Sequence, residues 1–167
     1  LYNFEYDKRI DSIQESVVAI VVDGRYAGYM VIADKIKSDA ASAIGQMRQL
    51  GVRKTVMLSG DKSSIVRDTA EKLDIDEAYG DLLPEDKVKH LERLKANPSD
   101  VIAFVGDGIN DAPVLALSDV SIAMGGIGSD AAIEIADVVI QTDQPSKIAT
   151  AIKIGRDTRT IVMQNIV

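Results

Sequence analysis

The distribution of apolar and polar residues after residue 38 alternates between short apolar runs and longer amphipathic stretches. Short apolar runs predict buried strands, whereas apolar residues spaced three and four apart predict helices that cover a sheet. The predicted strands are 55–58, 101–105, 120–123 and 138–140. Six helices are predicted. The first runs from Ser38 to Gly51, the second contains Val66, Ala70 and Leu73 on one face, and the third runs from Pro84 through Leu94. The last three cover about 111–117, about 130–136 and the residues after Pro145. Strands separated by helices predict an α/β fold with a doubly wound parallel sheet.

The first 33 residues follow a different pattern. Residues 17–22 and 28–32 are two β-rich runs, and the polar segment 23–27 between them is typical of a hairpin connection. The charged segment 34–37 then separates this hairpin from the α/β region and could serve as a hinge.

The composition excludes several classes of function. A formal net charge of −7 argues against a general nucleic-acid surface, although it leaves room for a local anion site. The chain contains no cysteine and a single histidine, His90, so thiolate and multi-histidine metal sites are excluded. His90 itself is predicted on a helix surface.

Because the chain starts with Leu and ends on an apolar segment, we expect it to be a piece of a longer protein.

One motif carries most of the chemical information. Residues 106–113 read Gly-Asp-Gly-Ile-Asn-Asp-Ala-Pro and follow the predicted strand 101–105. The carboxyl ends of parallel strands are where open α/β sheets bind ligands. Hard oxygen donors at that place suit Mg²⁺ and a phosphoryl group, with Asp107 as the direct metal ligand and Asn110 and Asp111 at the start of the next helix. Asp111 can alternatively be a simple helix cap.

Two further groups could act at the same edge of the sheet. Ser59-Gly60-Asp61 follows strand 55–58 and offers a hydroxyl and N–H groups to phosphate oxygens. Lys87 lies in the first turn of its helix, where the ammonium and the positive helix end can act on one anion. Each has a plainer interpretation, because Ser-Gly-Asp is a common turn and a lone helical lysine is usually solvated.

Taken together, these motifs resemble a known family. Residues 106–113, the following segment 114–125, the Ser59-Gly60-Asp61 turn and Pro84-Glu85-Asp86-Lys87 look like the phosphorylation domain of P-type cation-transporting ATPases. These enzymes belong to the haloacid dehalogenase superfamily. Residues 124–130 and the closing segment 159–166 are more similar to the heavy-metal branch, and within it to zinc and cadmium exporters.

The resemblance implies a mechanism and a set of roles. A carboxylate of such an enzyme attacks the γ-phosphate of Mg-ATP and forms a transient aspartyl-phosphate. By matching positions, Asp107 and Asp111 would hold Mg²⁺ and Asn110 would support metal and phosphate. Ser59, Gly60 and Lys87 would bind the phosphoryl oxygens, and Asp61 would help position the nucleotide or the closing domain.

The resemblance also implies an organisation. Residues 1–33 would be the last strands of the nucleotide-binding domain, 34–38 a hinge containing the matched Asp34 and Lys37, 39–160 the core of the phosphorylation domain, and 161–167 the link to the next membrane helix. The piece itself would be soluble and would lie on the cytoplasmic side of an integral membrane protein. Its partners would be ATP, the transported cation and the rest of the same ATPase, with no nucleic acid.

The chain departs from this family in three respects: it lacks the nucleophile motif, the adenine-binding His-Pro pair, which His90 does not match, and the thiolate-bearing membrane segment. The nucleophile motif Asp-Lys-Thr-Gly-Thr does not occur in it, so we expect the isolated chain neither to hydrolyse ATP nor to become phosphorylated. The central strand that carries this nucleophile would also be missing from the sheet. An unpaired gap of this kind invites pairing with another chain, and we therefore predict self-association.

Two alternatives remain open from the residues. A stand-alone phosphatase of the same superfamily would need an Asp-x-Asp pair after a buried strand near its start, and Asp7 and Asp11 do not provide one. A dinucleotide-binding module could use Gly126, Gly128 and Ala131 for the phosphates and Asp143 for the ribose, although its helix would be unusually short.

Overall fold

The computed structural model describes residues 6–13, 16–32, 35–106, 111–125 and 130–166. The chain divides into two compact units, residues 1–36 and residues 37–167. Asp34, Asp107 and Asn110, which the sequence analysis singled out, lie outside the described residues, as do the glycines at 126 and 128.

The first unit contains a short 3-10 helix, Lys8–Ser12, and the predicted β-hairpin. Its strands β1 (Ser16–Val22) and β2 (Arg25–Ile32) pair antiparallel. Asp23 and Gly24 connect them with φ angles of +49° and +74°, the left-handed conformation that tight hairpin turns require. The hairpin is confirmed, but its connection is the two-residue turn Asp23-Gly24 and not the predicted 23–27, because β2 already begins at Arg25. The 3-10 helix has no periodic signal that could have revealed it.

The second unit alternates helices and strands, as the sequence predicted. In chain order its elements are α1 (Ala40–Gln49), β3 (Val56–Leu58), α2 (Ser63–Leu73), β4 (Glu77–Tyr79), α3 (Pro84–Leu94), β5 (Ala103–Gly106), α4 (Ala112–Leu117), β6 (Val120–Met124), α5 (Asp130–Ile135), β7 (Val138–Ile140) and α6 (Ser146–Ile166). Strand β4 was not predicted, because it has only three residues and begins with a charged one. It therefore shows neither an apolar run nor a regular alternation of apolar and polar residues. Among the described residues, no helix is both long and apolar enough to cross a membrane.

The parallel strands form two separate hydrogen-bonded groups. Strand β3 pairs with β4, and β5, β6 and β7 pair in that order. Within the described ranges, no strand joins β3 to β5. The fold is therefore the predicted parallel α/β architecture, with its sheet in two parts.

The interior is aliphatic and comes from the predicted helix faces. Val66, Ala70 and Leu73 of α2 are buried, which confirms the spacing read from the sequence. Leu91 of α3 and Leu115 of α4 are each 1% exposed. The remaining core is formed around β6, β7 and the first turn of α6 by Ile122, Ile140 and Ile148.

Two local predictions were wrong, each for a physical reason. Ser38 does not cap α1, since the helix begins after Asp39, whose carboxylate instead accepts the N–H of Ser146 at 3.0 Å, at the start of α6. The strand predicted at 101–105 is observed at Ala103–Gly106. Val101 is 78% exposed, and the N–H of Ile102 donates to the Asp119 carboxylate, so neither residue joins the ladder.

Candidate functional site

The candidate site lies where the parallel strands end and the following segments begin. Strand β3 leads into the turn at Ser59-Gly60-Asp61, and β5 ends at Gly106, before the predicted metal ligands. Helices α3 and α4 begin near the same edge and carry Lys87 and Asp111 at their starts. The right-handed crossovers of a parallel sheet bring these segments to one side.

The Ser59 turn is closed by its own polar groups. The Ser59 hydroxyl lies 2.9 Å from a carboxylate oxygen of Asp61 and donates to it, and the Asp61 N–H donates back to the same hydroxyl oxygen over 3.1 Å. Gly60, between them, is exposed, and its N–H has no acceptor among the described residues. A ligand oxygen can therefore reach the Gly60 N–H directly, whereas binding to the Ser59 hydroxyl requires it to leave Asp61.

Lys87 and Asp111 are brought together by the fold. The Lys87 Nζ lies 2.7 Å from Asp111 Oδ1, and only 15% and 13% of the two side chains are exposed. Asp111 occupies the N-cap position of α4 but makes no side-chain capping bond. The plainer interpretations of a solvated lysine and a capping aspartate therefore do not describe these two residues.

Gly106 makes room for the Asp111 carboxylate. A Cβ on Gly106 would lie 2.9 Å from Asp111 Oδ2, closer than real Cβ contacts, and 3.1 Å from the Asp111 Cβ, which is a tight contact. Any other residue at 106 would therefore displace Asp111 or the end of β5. Gly106 belongs to the motif 106–113, but no role for it follows from the sequence alone.

The Ser59 turn is tethered to the helix that carries Lys87. The Leu82 N–H donates to the Ser59 carbonyl over 3.1 Å, two residues before α3 begins at Pro84. The Lys87 N–H in turn donates to the carbonyl of Leu83 over 3.2 Å. Among the described residues, Lys87 thus contacts Asp111, and the Ser59 turn contacts the segment just before α3.

The oxygen donors at this site fit a hard cation, although two of the residues that supply them lie outside the described ranges. Asp111 offers carboxylate oxygens, and Asp107 and Asn110 would add a carboxylate and an amide oxygen, the ligand types that Mg²⁺ prefers. In the portion of the chain that the structure describes, no group of three or more His, Asp or Glu residues could hold a metal.

Other candidates from the sequence find structural partners elsewhere. Asp143, proposed for a ribose in the dinucleotide alternative, pairs with Lys37, the residue matched to the hinge. Helix α5, which would follow the glycines of that motif, has six residues. His90, predicted on a helix surface, lies on α3 and is partly buried, with its ring centroid 4.2 Å from that of Tyr79.

Comparison with protein families gives one clear match. The family model described as haloacid dehalogenase-like hydrolase matches residues 3–119. Among characterised proteins, the chain is 53% identical over 169 residues to a zinc-transporting ATPase of a Synechocystis species, covering 100% of this chain and 23% of that protein. It is 54% identical over 153 residues to a cadmium, zinc and cobalt-transporting ATPase of Bacillus subtilis, covering 90% of this chain and 22% of that protein.

The fold agrees with these sequence relationships. A solved zinc-transporting PIB-type ATPase superposes with a TM-score of 0.77 and 36% identity, covering 95% of this chain and 26% of that one. The chain therefore spans about a quarter of the length of each of these three proteins. The alternative of a stand-alone phosphatase is less well supported than a relationship to these transporters.

Proposed function

Because this chain belongs to the haloacid dehalogenase-like hydrolases, we propose that it is part of the catalytic region of an ATP-driven heavy-metal exporter of the zinc and cadmium type. In this proposal it contributes the Mg²⁺-binding and phosphoryl-binding half of an aspartyl-phosphate site. The nucleophilic carboxylate, ATP and the transported cation come to that site through the rest of the transporter.

The observation that carries the proposal is the contact between Lys87 and Asp111. Lys87 and Asp111 place an ammonium and a carboxylate 2.7 Å apart in a site that is mostly shielded from water, where charges interact more strongly than in bulk water. When a phosphoryl group arrives, the Lys87 ammonium can turn to its oxygens and offset their charge, while Asp111 is freed to face a cation.

The Ser59 turn would bind the same phosphoryl group from the other side. The exposed Gly60 N–H and the Ser59 hydroxyl would donate to its oxygens, and Asp61 would release that hydroxyl and help position the nucleotide or the closing domain. Backbone N–H groups at such a turn are well suited to phosphate oxygens.

In this assignment Asp107 and Asp111 hold Mg²⁺, and Asn110 supports metal and phosphate. The ion supplies charge neutralisation for phosphoryl transfer when it is bound. The protein's own contribution is to hold the carboxylates, the Lys87 ammonium and the Gly60 N–H in place before the reaction, so that little reorganisation is needed during it.

The proposed organisation follows the same assignment. Residues 1–33 are the end of the nucleotide-binding domain, 34–38 the hinge, 39–160 the phosphorylation-domain core and 161–167 the link to a membrane helix. The chain would then lie on the cytoplasmic side of the membrane. Alone, it would not be phosphorylated by ATP, since it has no Asp-Lys-Thr-Gly-Thr motif.

The test compares two lysines of α3 in the full-length transporter that contains this chain. Lys87→Met is expected to lower metal-stimulated ATP hydrolysis by about a hundredfold or more, as removal of a group that stabilises transition-state charge does. Lys89→Met is the matched control, because Lys89 lies on the same helix, is 59% exposed and pairs with Asp86 on the helix surface. Equal activities of the two variants would contradict the proposal.

A second measurement separates the proposed function from its rivals. The isolated wild-type chain is titrated with Mg²⁺ and inorganic phosphate, and the amide signals of Gly60 and Asp61 are followed in ¹H–¹⁵N spectra. We expect these two signals to shift, with no hydrolysis of an aryl phosphate and no binding of NADH. Turnover of the aryl phosphate would instead indicate a stand-alone phosphatase.

A further inference from the structure

The loop that follows β4, residues 80–82, holds the Ser59 turn by its main chain. The Asp81 N–H donates to the Asp61 carbonyl over 2.7 Å, and the Leu82 N–H donates to the Ser59 carbonyl over 3.1 Å. Just before the loop, the Tyr79 carbonyl accepts the Ser59 N–H over 2.9 Å. Both ends of the turn are therefore fixed by a segment about 20 residues away in the chain.

The Asp81 side chain fixes the start of the next helix. Its Oδ2 accepts the Ser63 N–H over 3.0 Å and the Ser63 hydroxyl over 2.5 Å. Lys62, at the N-cap position of α2, offers no side-chain cap, so Asp81 performs this role from another part of the chain. The Ser63 hydroxyl and N–H hold the pKa of Asp81 below its usual value, so the carboxylate stays charged at neutral pH.

The backbone of this loop is specialised for the contact. Asp81 has a φ of +56°, a left-handed conformation that Asp, Asn and Gly adopt more readily than other residues. A Cβ on the preceding Gly80 would lie 2.6 Å from the Ser63 Cα and 2.8 Å from the Asp61 carbonyl oxygen, both of which are backbone atoms. The two loops can approach this closely only with glycine at position 80.

We propose that Gly80 and Asp81 are positioning residues for phosphoryl binding, which set the direction of the Gly60 N–H and the Ser59 hydroxyl without touching the phosphoryl group. The inference rests on the proposed function of the Ser59 turn. It implies that the turn after β3 binds an anion only when the loop after β4 keeps its hydrogen bonds to that turn and to Ser63.

The experiment uses substitutions that preserve the left-handed backbone. Asp81→Asn keeps an oxygen acceptor for Ser63, whereas Asp81→Gly removes it, and both residues tolerate a positive φ. Asp74→Gly is the matched control, because Asp74 ends the same helix with a φ of +57° and an 89% exposed side chain. The affinity of each chain for inorganic phosphate in the presence of Mg²⁺ is read from the Gly60 and Asp61 amide signals, and thermal unfolding is measured in parallel.

We expect Asp81→Gly to weaken phosphate binding by about tenfold or more, since small displacements of binding groups have large effects. Asp81→Asn and Asp74→Gly should stay within about threefold of the wild type, even where the unfolding temperature changes. Should Asp81→Gly lose its cooperative transition, Ser63→Ala replaces it, with an expected several-fold weakening.

Three other results would contradict the inference or one of its steps. Wild-type affinity in Asp81→Gly overturns the positioning role of the Asp81 side chain. Where Ser63→Ala replaces that variant, wild-type affinity overturns the hydrogen bond from the Ser63 hydroxyl as the means of positioning. An equal loss in Asp81→Asn and Asp81→Gly overturns the hydrogen bond to Ser63 as its cause. Absence of any phosphate-induced shift in the wild-type chain overturns the proposed function of the turn, and this inference with it.

Discussion

The two ends of the parallel strands use aspartate in different ways. At the amino ends, three carboxylates that precede β4, β6 and β7 accept N–H groups from the start of the neighbouring strand, at distances of 2.7 to 2.9 Å. These pairs are Asp76 with Thr55, Asp119 with Ile102, and Asp137 with Ser121. Because strand register determines where these N–H groups lie, the carboxylates at this end are fixed by the fold.

At the carboxyl ends, two pairs of polar side chains bind one another, whereas Asp81 after β4 accepts the main-chain N–H of Ser63. Lys87 pairs with Asp111, and Ser59 pairs with Asp61. A side-chain partner can rotate away and be replaced by a ligand atom, whereas a main-chain partner cannot do so without breaking the strand pairing. The type of partner therefore distinguishes aspartates that stabilise the fold from those available for chemistry, although both groups are aspartates next to a strand end.

The largest expected effect distinguishes two lysine–aspartate pairs attached to α3. Lys87–Asp111 and Lys95–Asp119 both have an N–O distance of 2.7 Å, but the first pair is 15% and 13% exposed and the second 36% and 32%. Lys87→Met leaves a shielded carboxylate without its partner, and we expect a loss of about 2–3 kcal/mol in the free energy of unfolding. Lys95→Met should have a smaller effect, because water and the Ile102 N–H still solvate Asp119.

Urea unfolding of the two variants and the wild type measures this difference. The double variant Lys87→Met with Asp111→Asn removes both charges and should recover part of the loss. If Lys95→Met proved the more destabilising single substitution, the carboxyl-end pair would not be the shielded one, and its proposed role in charge stabilisation would lose its physical basis.

A somewhat smaller effect distinguishes two serines. The Ser121 side chain is buried, and its hydroxyl bonds the carboxylate and the N–H of Asp137 at 2.8 and 2.9 Å. Ser121→Ala should therefore cost about 1–2 kcal/mol of unfolding free energy. Ser59→Ala should change it by no more than about 0.5 kcal/mol, because its partner Asp61 is exposed to water.

The same two variants should rank in the opposite order for ligand binding. Ser59→Ala is expected to weaken the binding of inorganic phosphate, and Ser121→Ala to leave it unchanged, as read from the Gly60 amide signal. A fully wild-type phosphate affinity in Ser59→Ala would remove this hydroxyl from the candidate site.

The sequence was informative where a local pattern determines structure. The spacing of Val66, Ala70 and Leu73 predicted the buried face of α2. Because Lys87 and Asp111 lie at helix starts, the sequence also predicted that their side chains would lie close together, and they are in contact. It was uninformative where a side chain bonds a distant segment. Asp39 binding Ser146 and Asp81 binding Ser63 depend on how loops meet in space, and no spacing along the chain reports such contacts.

The smallest expected effect tests the amino-end carboxylates by their pH dependence. The Ser121 N–H and hydroxyl hold the pKa of Asp137 below its usual 3.8, and the hydroxyl and N–H of Thr55 do the same for Asp76. A lowered pKa in the folded state gives stability that is present above the unfolded pKa and lost as the pH falls through the folded value. Asp137→Asn has no charge to lose, so its unfolding free energy should lie below that of the wild type at pH 7 and approach it as the medium becomes acidic. Urea unfolding of both proteins across this pH range measures the difference. A difference in unfolding free energy that does not change with pH would mean that the charge of Asp137, unlike its hydrogen bonds, does not contribute to stability.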